Sequence, residues 1–479
     1  MDDMNVVLVT VDCWRYDRCG FNGYSRDTTP VIDQIGEESL VYDNAIAPGA
    51  YTADSFPGIL AGLESNSIAY YSELKWSAIP PKQDTLASRF KDLNYDTFAS
   101  ITNPQLSKNR GFSYGFDAFY NHRLERDQGS TSLEREQNST GLFDYILDKA
   151  EEIWSQLGTE KGVLSQLPYI IYRYHQSRER WPTVPAETVM SDFIDKIGSY
   201  SDSERPFFGW THLMDLHAPI NPNTTTDTPV EQEFSKARAL YWDSERVTQQ
   251  PSSGYDYLYD CALRYIDEQI GRLVDELQAM GLWENTILLI TGDHGETLYD
   301  RGVYGHPFHY AFDDLLKVPL VVRSPDVDPR RIQSNFSLCW MSELISALLQ
   351  ESSLALTQNC EPSLHLNDEA PKSIIVSDMV TEKGYTIAIR NSEIKYIKHF
   401  GGNPYSSDPL HDLLKPYNEG VLYNIGEDRH EQHQLEVNNA SQEFKQRAED
   451  SYESVQELSS IEGEIDSGTK QKLKDLGYV

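Results

Sequence analysis

Short runs of apolar residues, each stopped by a polar residue or a glycine, recur along the chain. Thr286–Gly292 (Thr-Ile-Leu-Leu-Ile-Thr-Gly) and Asn5–Val11 (Asn-Val-Val-Leu-Val-Thr-Val) have the length and β-branched content of strands buried on both faces, as in a parallel sheet. Thr97–Thr102, Pro206–Trp210 and Val318–Val322 read as further strands. Helical spacing lies between them. It is clearest over Tyr257–Met280, where Leu258, Ala262, Ile266, Ile270, Leu273 and Leu277 share one face and Gly281 supplies the stop. Thr85–Leu93 reads as another helix, Pro30 fits the first turn of a short one, and Ala47–Gly62 reads as a loop running into one. Helix alternating with buried strand predicts an α/β fold on a mostly parallel sheet.

The pattern changes twice. From 121 to 205, amphipathic stretches at Leu142–Leu157 and Ala186–Tyr200 flank a Tyr- and Arg-rich middle, and the segment reads as a helical insertion over the active-site face. Beyond about 364, Ile374–Val380, Thr386–Arg390, Glu393–His399 and Leu422–Ile425 read as short strands of an antiparallel sheet. The expected organisation is a catalytic domain over 1–365, a small subdomain over 366–436 and an acidic helical tail over 437–479.

Candidate chemistry falls where the strands end. Asp12 follows the first run directly, and Asp293 with His294 follows the run that closes at Gly292. His212 and His217 flank Asp215 after the 206–210 strand, and Asn103 follows the 97–102 strand. In open α/β sheets ligands bind outside the carboxyl ends of strands, so neighbouring strands could converge these groups on one cation. An isolated carboxylate there more often caps a turn, and a lone histidine is more often structural; it is the repetition that favours a site. Thr52 and Ser55 open the 47–62 helix, where unpaired N–H groups and the helix dipole favour an anion, although either hydroxyl could be a plain cap.

Composition narrows the function classes. With 479 residues and a formal charge of -34, the chain is a poor partner for nucleic acid, whose phosphates are bound by basic surfaces. The acidity is diffuse, which suits solubility at high salt and points to a halophilic source. Five cysteines without a Cys-x-x-Cys pair indicate neither a disulfide framework nor a zinc knuckle. No membrane span or leader is visible, so a soluble cytoplasmic protein is expected.

Val9-Thr-Val-Asp12 with Arg15 and Asp17, Thr29-Pro30, the hydroxyl-bearing loop ending in Ile59-Leu-Ala-Gly62, His212-x-x-Asp215-x-His217-x-Pro219, Gly292-Asp-His-Gly-Glu296 and Val318-Pro319 occur in this order. Together they resemble the sulfatase family of the alkaline phosphatase superfamily over roughly residues 4–325, with a weaker echo over 372–435. The resemblance implies an α/β sandwich with a central, mostly parallel sheet flanked by helices, plus a small C-terminal α+β subdomain. It implies one divalent cation held by Asp12, Asp293 and His294 beside a nucleophile, with Thr52 at the nucleophile position and also a ligand.

Four positions depart from the family pattern. Thr52 replaces the Cys or Ser that is converted to formylglycine, and Phe56 replaces the arginine of that window. The lysine expected after the fourth strand is absent around Thr102-Asn103-Pro104, and Cys13 replaces the second Asp of an Asp-Asp pair. Relatives that keep Thr are phosphodiesterase-like, phosphonate-ester hydrolases or transferases of the lipoteichoic-acid-synthase type. The resemblance therefore implies hydrolysis of an anionic sulfate, phosphate or phosphonate ester, drawn from a small molecule, glycan or lipid. A phospho-group transferase, or a catalytically weak member that binds an anionic glycan, remains the alternative. His217 and one of His306 and His309 are expected to contact the oxyanion or protonate the leaving oxygen; Asn103 and His212 are expected to contact substrate. An oxygen-rich donor set favours hard ions, Mn or Ca first, with Mg or Zn compatible.

Overall fold

The computed structural model describes residues 4–125, 183–225, 253–356, 374–402 and 419–475, apart from interruptions of one to five residues within those ranges. The strands expected at Asn5–Val11 (β1) and Thr286–Gly292 (β6) form with those bounds and are buried throughout. Seven more strands complete the central sheet: Leu40–Ile46 (β2), Asp96–Ile101 (β3), Ala118–Asn121 (β4), Phe207–Leu213 (β5), Lys317–Val318 (β7), Leu320–Arg323 (β8) and Arg330–Ser337 (β9). Their order is β7-β2-β8-β6-β1-β5-β3-β4, with β9 also on β2. The run from β6 to β4 is parallel, while β8 pairs antiparallel with both β6 and β2. The sheet is therefore mixed, with a parallel centre.

Period-2 alternation explains the burial on both faces. Val7, Val9 and Val11 join one core with Ile32 and Ile35 of Pro30–Glu37 (α1), and with Ala186–Tyr200 (α2) and Ser253–Ala279 (α3). Val6 and Leu8 join the opposite core with Phe56 and Ile59 of Thr52–Ala61 (α4), and with Leu86–Asp92 (α5) and Met341–Leu349 (α6). Each fully buried Val or Leu adds roughly 1.5–3 kcal/mol, which is why a strand with no polar face is stable only between two helical layers.

Part of the expected insertion is thereby reassigned. Ala186–Tyr200 does not stand over the active-site face. It packs on β3 and β5 as a layer helix, because Val189, Met190, Phe193 and Ile197 form a stripe that must be buried. The stretches at 142–157 and 169–180 lie outside the described residues. At the C-terminal end, Ile375–Thr381, Gly384–Arg390, Ile394–Gly401, Val421–Asn424 and Gln434–Leu435 form a separate antiparallel sheet. The helix Gln442–Gln456 covers one face of it through Phe444 and Ala448. The other face, including Ile375, Met379 and Ala388, packs on Tyr310 and Phe312 of the larger unit. Among the described residues no helix is long and apolar enough to cross a membrane.

Candidate active site

Register brings the strand-end residues together. Val11 pairs with Gly292 across β1 and β6, so Asp12 and Asp293 leave the sheet side by side. Thr10 pairs with His212 on β5, and Ile101 on β3 pairs with that same histidine, which puts Asn103 two residues beyond. Two glycines keep the turn after β6 tight. A Cβ on Gly295 would lie 2.1 Å from the Asp314 carbonyl oxygen, and one on Gly292 2.9 Å from that of Trp14.

Thr52 is the first residue of α4, at the amide-rich end of the helix. Its Oγ1 lies 3.2 Å from Asp12 Oδ2 and 3.4 Å from His294 Nε2. Asn103 Nδ2 donates to the same Asp12 oxygen at 2.9 Å and to Thr52 Oγ1 at 3.2 Å, and Asn103 is itself fixed by accepting from Gln105 N. Ser55 is turned to another use: its Oγ donates to the carbonyls of Gly49 and Asp293, tying the helix to the β6 turn. His294 Nδ1 meets the Gly295 carbonyl at 2.7 Å. A carbonyl can only accept, so Nδ1 carries the hydrogen and Nε2 turns a lone pair toward Thr52 and Asp12.

The electrostatics call for a cation. Burial alone would raise the Asp12 carboxyl, but the hydrogen bond from His212 and the neighbouring imidazoles of His217 and His294 hold it well below the usual range. Asp293 beside it is pushed up to about 8 by burial and by the Asp12 charge. Two adjacent buried carboxylates resist joint ionisation without a counter-charge. Asp293 Oδ2 is buried and, among the described residues, has no hydrogen-bond donor. Asp12, Asp293 and His212, and likewise Asp12, Cys13 and His294, offer donor atoms within 4.8 Å of one another. Oxygen and imidazole donors at this spacing fit a divalent ion.

His212 is thus placed differently from the expected substrate contact. Its Nε2 lies 3.4 Å from Asp12 Oδ2, and its Nδ1 lies 3.0 Å from Thr10 Oγ1, so it sits wholly within the carboxylate cluster. Phe56, where the family pattern has arginine, is buried with its ring edge-on to His212 at 5.0 Å. His217 and His306 stack edge-to-face at 5.2 Å, and His306 lies equally close to His294. Burial pushes His217 down to about 4, so its imidazole is neutral at pH 7, with Nδ1 bound to the Ala218 carbonyl. Burial would lower His306 as well, but the Glu296 carboxylate at 3.2 Å outweighs it and raises the imidazole above its usual value.

His306 lies beside His217 and His294, whereas His309 lies against the C-terminal sheet. His309 has a left-handed backbone (φ 66°), and its ring nitrogens meet Thr386 Oγ1 at 2.8 Å and Thr381 Oγ1 at 2.6 Å in the C-terminal sheet. These contacts join the two units. Sequence reasoning named two further residues without assigning them a role. Glu296 is fully buried and holds His306, and Cys13, with φ 61°, turns its thiol to Asp12 Oδ1 at 3.0 Å. A left-handed backbone at a non-glycine residue costs about 1–2 kcal/mol, a strain common at functional sites. Cys13 was legible only as the departure from the Asp-Asp pair, and Glu296 only as the last residue of the Gly292–Glu296 element.

The fold defines a class, the proteins with an alkaline-phosphatase-like fold. Residues 4–350 match the sulfatase family, and the chain belongs to it. An arylsulfatase of Clostridium perfringens (strain 13 / Type A) is 23% identical over 346 residues, covering 67% of this chain and 68% of that protein. Iduronate 2-sulfatase of Homo sapiens is 24% identical over 353 residues, covering 68% of this chain but only 60% of the relative, less than two thirds of its length. In fold, the chain is similar to the phosphonate monoester hydrolase of Agrobacterium radiobacter, with a TM-score of 0.58 over 95% of each chain at 15% identity. Members of the family use a divalent metal, which the donor set here suits.

Proposed function

We propose that the protein hydrolyses a singly charged phosphate diester, phosphonate monoester or sulfate ester, with Thr52 as the nucleophile. The observation that carries this reading is the Thr52 hydroxyl at a helix N-terminus, 3.2 Å from Asp12 Oδ2 and from Asn103 Nδ2 and 3.4 Å from His294 Nε2. Asp12, Asp293, His294 and the Thr52 oxygen are the residues that would hold a divalent ion. When bound, that ion supplies positive charge that favours the Thr52 alkoxide and a developing oxyanion.

The protein's own groups do the rest. Asp12 Oδ2 accepts the hydroxyl hydrogen bond that orients Thr52, and Asn103 keeps that oxygen in place. The first-turn amides of α4 face the incoming anion. His306, held at Nδ1 by Glu296, offers its other ring nitrogen as proton donor to the leaving oxygen, and the neutral His217 beside it lines the same space. Phe56 in place of a cationic contact supports a substrate with one negative charge rather than two.

The test is a paired assay with Mn, Ca, Mg or Zn added, on nitrophenyl sulfate, a nitrophenyl phosphate monoester, a nitrophenyl phosphodiester and a nitrophenyl phosphonate monoester. Faster turnover of a singly charged ester is expected. Preference for the doubly charged monoester would overturn the substrate assignment, and no turnover of any would favour an anionic-glycan binder.

A further inference from the structure

We propose that Cys13, Glu296 and His306 form a second, thiophilic cation site beside the centre assigned to Asp12, Asp293 and His294. One donor atom from each of the three lies within 4.8 Å of the others. His306 Nδ1 sits 3.2 and 3.3 Å from the two Glu296 oxygens and 3.9 Å from Cys13 Sγ. With metal–nitrogen bonds near 2.0–2.1 Å and metal–sulfur bonds near 2.3 Å, ligand atoms around a tetrahedral ion stand about 3.3–3.6 Å apart. The His306–Glu296 and His306–Cys13 separations therefore need shifts of only a few tenths of an ångström.

The plainer reading is a Glu296–His306 ion pair with a bystander thiol. Two features speak against it. A carboxylate offers about four acceptor positions, yet the hydrogen bonds seen on the fully buried Glu296 side chain come from a single His306 nitrogen that sits astride both oxygens. And the left-handed Cys13 backbone turns the thiol toward this group and Asp12 rather than into the apolar core. One sulfur, one imidazole and one carboxylate form a zinc-type donor set; Ca and Mg do not select sulfur. A cation at Nδ1 would also keep positive charge on the His306 side and leave the other ring nitrogen protonated. His306 is the most exposed of the three, which gives an ion a way in.

The site does not depend on Thr52 being the nucleophile. It depends on the first centre only in that the two must be counted apart. The full-length protein is stripped with chelator and titrated with Co, with bound metal measured by elemental analysis and thiolate-to-cobalt charge transfer followed in the near ultraviolet. Two equivalents are expected, with a charge-transfer band. Cys13→Ser should lose the band and one equivalent, and Glu296→Gln and the partly exposed His306→Gln should each lose one equivalent. Asp293→Asn should lose one equivalent and keep the band, and Thr52→Ala should keep the band. One equivalent without a band overturns the proposal. So does a single equivalent whose band survives Glu296→Gln and disappears in Asp293→Asn, since that would assign the thiol to the first centre.

Discussion

Asn103 Nδ2 donates to Asp12 Oδ2 at 2.9 Å, although a whole strand separates β3 from β1 in the sheet. The contact exists because both residues lie just past the carboxyl ends of parallel strands, where side chains turn inward over the intervening β5. Thr52 completes a triangle with them from the start of α4.

That triangle makes Thr52→Ala the first test. Turnover is expected to fall by on the order of 10⁴-fold or more, as it does when a covalent nucleophile is removed. Stability should change by only about 1 kcal/mol, the worth of a lost hydrogen bond. Thr52→Ser should retain turnover. An active Thr52→Ala protein with native melting behaviour would remove the nucleophile assignment.

Asp293→Asn should lower the metal content after dialysis, because the orphaned Oδ2 is lost as an anionic ligand. The metal-free variant should melt no lower than the metal-free parent, since the repulsion with Asp12 is relieved. Added divalent ion should raise the parent's melting temperature more than the variant's, as ligand binding to the folded state requires. An unchanged stoichiometry would contradict the ligand role.

His306 and His309 should separate cleanly. His306→Gln is expected to slow kcat by roughly 10²–10⁴-fold, the usual worth of a positioned proton donor. His309→Gln should leave kcat near the parent value and lower stability by about 1 kcal/mol through its contacts with Thr381 and Thr386. Equal kinetic losses in both would place His309 back in the site.

Asp313 joins the two units by pairing with Arg390 and Lys395, each at 2.6 Å. Burial would raise its carboxyl, but those two charges outweigh it and hold the group well below the usual range. A carboxylate depressed on folding contributes stability that is present above its unfolded value near 3.9 and is lost as pH falls through the folded value. Asp313→Asn should therefore cost about 3–5 kcal/mol at pH 7, because two buried cations lose a counter-charge. The difference from the parent should shrink below about pH 3.5 in chemical denaturation, as the parent's own carboxyl is neutralised. A pH-independent difference would discount the ion pairs.

The formal charge of -34 carries the halophilic proposal. Raising ionic strength should stabilise the protein by screening carboxylate repulsion, which extends only about 10 Å at 0.1 M salt. A melting temperature flat between low and molar salt would leave the acidity unexplained.

Local sequence determined the strands that form the centre of this protein and the chemistry at their ends. Unbroken β-branched runs at Asn5–Val11 and Thr286–Gly292 could be stable only between two helical layers, so Asp12, Asp293 and His294 were legible as a group at the sheet's carboxyl edge. Tertiary structure decided which polar residues near that edge belong to it. His306 and His309 are three residues apart and alike in sequence, but the turn between them sends one ring to Glu296 and the other to the C-terminal sheet. Ala186–Tyr200 looked like part of an insertion until β3, β5 and α3 supplied the surface its apolar stripe had to cover. The roles of Cys13 and Glu296 were illegible for a related reason. Each adjoins a stronger signal, and what distinguishes them is direction: the sign of one backbone angle and the burial of one carboxylate, which only packing at long sequence separation can impose.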